Sequence, residues 1–219
     1  MHVISSLSHG GAEKLAIELA SLQKSEGVDV SIAYLNSAKW LGNADDVEKR
    51  FQAKLQAADV NFYPLDVLPS RSYWLTRTRN LKSSINHENP QVLHVHLGRG
   101  LLLMVLGRVR IPAVMTIHSV NVGFPMAMFR LFRLLKVKYV AVASAIAKIF
   151  QPYVRDEIVV IPNGVDLQKF KKQVSTRDLA PFIFAAVGRV LPPKNYSMLL
   201  DAAAHLLTTE FGRHFPWQM

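Results

Sequence analysis

Short apolar, β-branched segments alternate with longer segments of helical periodicity along most of the chain. The first strand-like segment is HVISSL at residues 2–7, and helical periodicity follows from residue 12 to residue 25. The later strand-like segments are separated by stretches long enough for crossover helices: VDVSIAYL, DVNFYPL, QVLHVHL, AVMTIHS, KYVAVAS and EIVVIPNGVD. Strands joined in this way form parallel sheets that are covered on both faces. The pattern therefore predicts an α/β fold with a doubly wound, Rossmann-like parallel sheet.

The same pattern predicts two domains of unequal completeness. Residues 1–170 contain the alternating segments of the first domain, and the polar stretch KKQVSTRDLA at residues 171–180 has the composition of a linker. Residues 181–219 begin a second alternation with PFIFAAVGRV and KNYSMLLDAAAHLL, followed by a closing TTEFGRHFPWQM without clear periodicity. One strand and one helix cannot bury an apolar face alone. We therefore expect an incomplete second Rossmann-like domain that ends in an irregular tail.

Composition narrows the classes of function. The chain has 26 Lys+Arg and 16 Asp+Glu, a formal net charge of +10, which favours an anionic partner. It has no cysteine, so disulfides, thiolate metal sites and cysteine nucleophiles are excluded. No apolar segment reaches the roughly 18 residues that a membrane span needs, and the N-terminus lacks a signal-peptide pattern. We therefore expect a cytoplasmic protein. Because the aromatic residues follow no base-reading module, we also expect that it does not bind nucleic acid.

Two glycines follow the first strand-like segment, in the sequence SHGGAEK. Gly10 and Gly11 fall in the first strand-to-helix turn, which is a favoured phosphate position in parallel sheets. Missing Cβ atoms would let an anionic ligand approach the backbone, but an ordinary tight turn explains the same residues. The spacing differs from G-x-G-x-x-G, so a dinucleotide site is not supported.

Three histidines of the later predicted strands are candidates for chemistry. His94 and His96 share one face of a strand, which would suit a metal pair, but no third ligand follows at a recognisable spacing. We therefore expect them to be structural and predict no metal site. His118 lies at the end of the strand-like segment AVMTIHS, where a side chain is delivered into the ligand crevice and can hydrogen-bond a substrate hydroxyl. The alternative for His118 is a satisfied core histidine.

Two basic segments admit two interpretations each. In VGRVLPPKN, Arg189 and Lys194 suit a nucleotide diphosphate, although an exposed basic loop has the same composition. The segment MAMFRLFRLLKVKY at residues 126–139 mixes apolar and basic residues, as does a helix that lies on an anionic membrane. An ordinary helix packed on the sheet looks nearly the same, and we favour that interpretation, with a basic edge facing a membrane as the second.

Six segments occur in a specific order: SSLSHGGAEKLAIELA, VLHVHLGRG, VMTIHS, VAVASAIAKIF, VVIPNGVDLQKF and VGRVLPPKNYSMLLDAA. Together they resemble the retaining glycosyltransferases of family 4, whose GT-B fold has two facing Rossmann-like domains. The resemblance covers nearly the whole chain. It implies transfer of a sugar from a nucleotide-sugar co-substrate to a saccharide or lipid-linked acceptor, with retention and without a metal or other cofactor.

The resemblance also implies roles for five residues. Gly10 and Gly11 would lie at the donor diphosphate and the acceptor side of the interdomain cleft, and His118 would face the transferred sugar. Arg189 and Lys194 would hold the diphosphate from the second domain and stabilise it as a leaving group.

Two departures from the family pattern predict a truncated product. The family's second domain carries a pair of glutamates separated by seven residues, and nothing here matches the partner that Glu210 would need. The first strand is also shorter than usual. We therefore expect weak or absent activity from these 219 residues. The alternatives are a non-catalytic fragment that binds an acceptor or an anionic membrane at the inner face, and a non-transferring relative such as a nucleotide-sugar epimerase.

Overall fold

The computed structural model of the chain describes residues 1–8, 10–38, 41, 45–65, 73–167, 182–188, 192–209 and 217–218. The chain divides into two compact units, residues 1–164 and residues 165–219. Each unit contains its own sheet.

The first unit is built on a parallel sheet of seven described strands in the order β3-β2-β1-β4-β5-β6-β7. The strands are β1 (His2–Ser6), β2 (Ser31–Asn36), β3 (Asn61–Pro64), β4 (Leu93–Val95), β5 (Ala113–Ile117), β6 (Val137–Ala141) and β7 (Val159–Val160). This confirms the predicted Rossmann-like α/β fold.

Five α-helices connect these strands: α1 (Gly11–Ser25), α2 (Asp45–Ala57), α3 (Tyr73–Glu88), α4 (Gly98–Leu106) and α5 (Ser144–Phe150). The described residues of this unit also form two 3-10 helices, Met126–Leu134 and Gln151–Tyr153. The helix predicted near residues 126–136 is therefore a 3-10 helix. Because side chains three residues apart eclipse in a 3-10 helix, Phe129 and Phe132 lie on the same side of it, and both rings are buried.

The core lies on both faces of the sheet because successive strand residues point in opposite directions. On β1, Val3 belongs to one hydrophobic cluster and Ile4 to the other. The cluster that contains Ile4 includes Ile17 of α1, whereas the cluster that contains Val3 includes Leu81 of α3. The sheet is thus covered on both sides, as the near-continuous apolar strands require.

The strand order reverses between β1 and β4, which are direct neighbours. Their register pairs His2 with His94 and Val3 with Val95, and β4 pairs with β5 on its other side. In open parallel sheets, ligands bind beyond the carboxyl ends of the strands at such a reversal. The turns after β1, β4 and β5 therefore border the expected crevice.

The second unit contains β8 (Phe182–Ile183), a 3-10 helix (Pro192–Lys194), α6 (Tyr196–Thr208) and β9 (Trp217–Gln218). Strands β8 and β9 are parallel and pair Phe182 with Trp217. The expectation of an irregular tail was wrong at this point, since the closing segment supplies a strand. A two-residue strand has no detectable periodicity, and its pairing with β8 is a long-range contact.

Candidate functional site

A continuous chain of hydrogen bonds joins three imidazoles at the strand-order reversal. His2 Nε2 lies 2.7 Å from Gln23 Oε1, and His2 Nδ1 lies 3.1 Å from His96 Nε2. His96 Nδ1 in turn lies 3.0 Å from His118 Nε2. We call these four residues the imidazole chain. It runs from α1 through the sheet to the end of β5.

The sheet itself brings these residues together. His2 begins β1, beside β4, and His96 directly follows β4. His118 directly follows β5, the next strand in the sheet. Since parallel strands end at the same edge, His96 and His118 are neighbours there, and their rings stack with centroids 5.3 Å apart.

His94 has the structural role that its sequence predicts. Its Nε2 lies 2.8 Å from Thr116 Oγ1 on β5, and its ring contacts those of His96 and His2 at centroid distances of 4.2 Å and 4.9 Å. His94 therefore supports the imidazole chain from the side.

Burial keeps these imidazoles neutral at pH 7. It lowers the pKa of His2 to about 4 and that of His94 to about 3. Burial also lowers the pKa of His96 well below its usual value. The pKa of His118 is lowered by burial as well, although the negative charge of Glu13 opposes that shift. Neutral imidazoles each offer one hydrogen-bond donor and one acceptor.

The histidines must also be considered as metal ligands, because one ring nitrogen from each of His2, His94 and His96 lies within 4.8 Å of the others. The sequence spacing around His94 and His96 did not reveal His2 as a possible third ligand, because His2 lies on another strand. However, both nitrogens of His2 and both of His96 already take part in hydrogen bonds. A metal ion would have to displace those bonds in a buried place, so the arrangement fits a hydrogen-bonded cluster better.

The glycine turn lies at the start of α1 and is occupied by a carboxylate. Glu13 accepts a hydrogen bond from Ser5 Oγ and covers Gly10, since a Cβ added there would lie 1.8 Å from Glu13 Oε2. At Gly11, an added Cβ would meet no atom of the described residues within 4 Å. The Glu13 carboxylate therefore lies directly over Gly10, whereas Gly11 is the open position of the turn.

His118 lines a small cavity of about 90 Å³ at the carboxyl edge of β4 and β5. Gly98 and Asn121 also line it. Gly98 is required because the Phe124 ring packs against its backbone, and an added Cβ would lie 1.8 Å from that ring. A cavity of this size admits one group of a ligand rather than a whole nucleotide.

The predicted cationic pair is only partly described. Lys194 ends the 3-10 helix before α6 and is exposed, with its side chain near Gly188. Arg189 lies outside the described residues. The predicted cleft between His118 and the pair Arg189 and Lys194 stays a prediction, as do the roles of Gly10 and Gly11.

The basic segment after β5 packs as an ordinary element of the fold. Phe129 and Phe132 are buried in the core, while Arg130 and Arg133 are exposed on the other side. Among the described residues, no helix is both long and apolar enough to cross a membrane.

Sequence analysis missed three residues of this site. His2 contributes through its strand register with β4, which the local sequence does not specify. Gln23 lies in the last turns of α1 and carries no motif. Glu13 could have been found, because an acidic residue in the first turn after paired glycines is placed at a helix N-terminus.

Comparison with known proteins gives a family match and a set of similar folds. The model of Glycosyltransferase Family 4 matches residues 9–169. No curated protein matches the sequence at a significant level.

Among solved structures, HepE of Anabaena in complex with UDP and glucose is similar with a TM-score of 0.64 and 16% identity, over 94% of this chain and 58% of that one. The same protein in complex with UDP-glucose gives a TM-score of 0.63 and 16% identity, over 94% and 57%. A glycosyltransferase from Rickettsia africae gives a TM-score of 0.62 and 18% identity, over 83% and 51%. The chain thus spans little more than half the length of these proteins, whose GT-B fold it shares over that part.

Proposed function

This chain belongs to glycosyltransferase family 4, and we propose that it serves the transfer of a hexosyl group from a nucleotide sugar to a saccharide or lipid-linked acceptor. In this proposal the anomeric configuration is retained, the nucleotide sugar is a co-substrate, and no metal or other cofactor is required. The family match supports the class of reaction. Two similar structures hold UDP with glucose and UDP-glucose, which supports a nucleotide sugar as the ligand.

The observation that carries the proposal is the position of His118. Its imidazole directly follows β5, lines the cavity beside Gly98 and is kept neutral by burial. A neutral imidazole at this edge can bind a hydroxyl group of the sugar without adding a charge to the reacting centre.

The remaining chemistry is the stabilisation of a leaving diphosphate. We assign this role to Arg189 and Lys194, because a guanidinium and an ammonium together neutralise a diphosphate. The open backbone at Gly11, at the N-terminus of a helix, would add uncharged donors. The carboxylate of Glu13 covers Gly10 and favours hydroxyl groups of an acceptor at that point.

We further propose that catalysis needs a complete second Rossmann-like domain, because electrostatic stabilisation requires groups fixed on both sides of the reacting bond. The chain covers 58% of HepE and 51% of the Rickettsia africae protein. We therefore expect weak or absent transfer by these 219 residues and measurable transfer when the second domain is complete.

Calorimetry and product analysis test this proposal. UDP-, GDP- and ADP-sugars are titrated into the chain and into a form joined to a complete second domain of a family 4 enzyme. Binding by the joined form, weakened by Lys194→Ala and unchanged by Lys148→Ala on the exposed face of α5, supports the proposal. Failure of the folded, joined form to bind any of the three nucleotide sugars would exclude it, and a product that is an epimer of the donor would identify an epimerase instead.

A second candidate function is the binding of an anionic membrane surface without catalysis, in line with a cytoplasmic protein at the inner membrane face that serves polysaccharide assembly. The observation that favours it is the exposed side of the Met126–Leu134 helix, where Leu134 is 75% exposed beside Arg130 and Arg133. Vesicles that contain phosphatidylglycerol should sediment the protein. This binding should weaken when both arginines are changed to Gln and should survive His118→Ala.

A further inference from the structure

We propose that Gln23, His2 and His96 are positioning residues that fix the tautomer of His118, so that its Nδ1 presents a lone pair to a hydroxyl group. The inference rests on the proposed function only for the identity of that hydroxyl, which would belong to the transferred sugar.

The direction of the hydrogen bonds follows from the Gln23 end of the imidazole chain. A carboxamide oxygen can only accept, and Gln23 Oε1 lies 2.7 Å from His2 Nε2. The proton of neutral His2 is therefore on Nε2, and its Nδ1 is an acceptor. His96 must donate to that acceptor from Nε2, across 3.1 Å.

The same reasoning gives the direction of the hydrogen bond between His96 and His118 at the crevice. Neutral His96 has its one proton on Nε2, so its Nδ1 accepts from His118 Nε2 across 3.0 Å. His118 then holds its proton on Nε2 and keeps the lone pair on Nδ1. No described residue makes a hydrogen bond to this Nδ1, and His118 lines the cavity at the carboxyl edge of the sheet.

Because the imidazole chain is buried, the direction of its hydrogen bonds cannot easily be reversed at one ring alone. His2 is 2% exposed and His96 is 9% exposed, so neither ring can exchange its partner for water. Protonated His96 would donate from both ring nitrogens. Its Nδ1–H would then face the Nε2–H of His118, which leaves a buried contact between two donors. A change of tautomer at any member therefore requires a change at every member.

The chemical consequence is selection of the ligand group at His118. A lone pair accepts a hydrogen bond from an O–H donor and repels the anionic oxygen of a phosphate. The negative charge of Glu13, which acts on His118, also repels a phosphate and not a neutral hydroxyl. The imidazole chain thus specifies a neutral hydroxyl at His118 and leaves the diphosphate to the cations.

Nitrogen NMR of the full chain with ¹⁵N-labelled histidine tests the assignment without any activity assay. Two-bond and three-bond correlations distinguish the protonated from the unprotonated ring nitrogen. At pH 7.5, His2, His96 and His118 should each carry the proton on Nε2, with His118→Asn used to assign the third ring. A His118 proton on Nδ1, or a mixture of both tautomers, would overturn the proposal.

Two substitutions of Gln23 test the cause. Gln23→Glu keeps an acceptor against His2 Nε2 and should preserve all three tautomers. Gln23→Lys presents a donor instead and should move the proton of every ring to Nδ1, including that of His118, which does not contact residue 23. If Gln23→Lys fails to fold, Gln23→Met removes the acceptor and should give a mixture of tautomers at His118. An unchanged His118 spectrum in a folded Gln23→Lys or Gln23→Met variant would overturn the proposal.

The tautomer proposal and the proposed transferase function can be excluded independently of each other. Correct tautomers without sugar transfer would leave the imidazole chain intact and exclude the proposed function. If transfer is measured, Gln23→Lys should lower kcat/KM about tenfold, which is the value of one hydrogen bond to a hydroxyl. Gln23→Glu should keep kcat/KM near that of the parent protein. Equal losses in both variants would show a merely structural role.

Discussion

The two compact units contain the same succession of strand and helix but differ in what they bury. In the first unit, α1 contributes buried residues to the core on one face of a seven-stranded sheet, and α3 and α4 contribute buried residues to the core on the other face. In the second unit, none of the described residues of α6 is buried, and Met198, Leu200 and Leu207 are 63%, 60% and 55% exposed. An apolar stripe at helical spacing therefore forms a core only where enough neighbouring strands exist to cover it.

Acid should destabilise the first unit through its histidines, and this is the largest effect we expect. The folded pKa values of His2 and His94 are about 4 and about 3, below the usual value of 6.5, so the unfolded chain binds more protons between these limits. Their stabilisation is complete above pH 6.5 and is lost as the pH falls. The free energy of unfolding should drop by about 1.4 kcal/mol per pH unit for each such histidine.

Urea unfolding at pH 7.5, 6.0 and 5.0, followed by circular dichroism, measures this loss above the range in which most carboxylates titrate. His94→Gln should make the pH dependence shallower. If the free energy of unfolding were constant over this range, the histidines would not be buried as neutral rings in the first unit.

Loss of a core aromatic ring should have the next largest effect. Phe129 is fully buried, and its ring lies within 6 Å, centroid to centroid, of the rings of Phe124, Phe132, Tyr139 and Phe150. Phe129→Ala should lower the free energy of unfolding by about 3–5 kcal/mol, because it removes apolar contact and leaves a cavity. Urea unfolding at pH 7.5 checks this value. A cost below about 1 kcal/mol would contradict the observed packing.

The architecture of the first unit could be predicted because its strands carry strong local signals. HVISSL and AVMTIHS are apolar, β-branched and followed by helical spacing, so the βα alternation and the parallel sheet follow from the pattern. The 3-10 geometry of the helix at Met126–Leu134 and the pairing of β8 with β9 could not be predicted. The first depends on how two phenylalanines fit the sheet, and the second on a contact between residues far apart in the chain.

The candidate site could be predicted only at its edges. His118 was found because it ends a strand, and Gly10 because it follows one. Gln23 and His2 were missed, since their hydrogen bond joins the last part of α1 to the first residue of β1 and no motif marks it. The residues of the imidazole chain are far apart in the sequence. The register of β1, β4 and β5 determines which of them are hydrogen-bonded neighbours.

Glycine substitutions should separate close packing from open turns within the first unit. A Cβ at Gly100 would lie 2.7 Å from Val95 Cγ1, so Gly100→Ala should cost about 1–3 kcal/mol despite the better helix propensity of alanine. Gly11→Ala meets no described atom within 4 Å and should be neutral or slightly stabilising. Thermal unfolding of the two variants beside the parent chain measures the difference, and equal stabilities would show that α4 is not packed tightly on the sheet.

The smallest expected effect tests the second unit directly. Leu200 is 60% exposed on α6, so Leu200→Ala should change the free energy of unfolding by less than about 0.5 kcal/mol, because little apolar surface leaves contact with other residues. Leu101→Ala in α4, where the leucine is fully buried, is the matched control and should cost about 2–5 kcal/mol. Both are measured by urea unfolding at pH 7.5. If Leu200→Ala instead cost 2 kcal/mol or more by that measure, α6 would be covered in solution by an apolar surface, and the contrast between the two units would not hold.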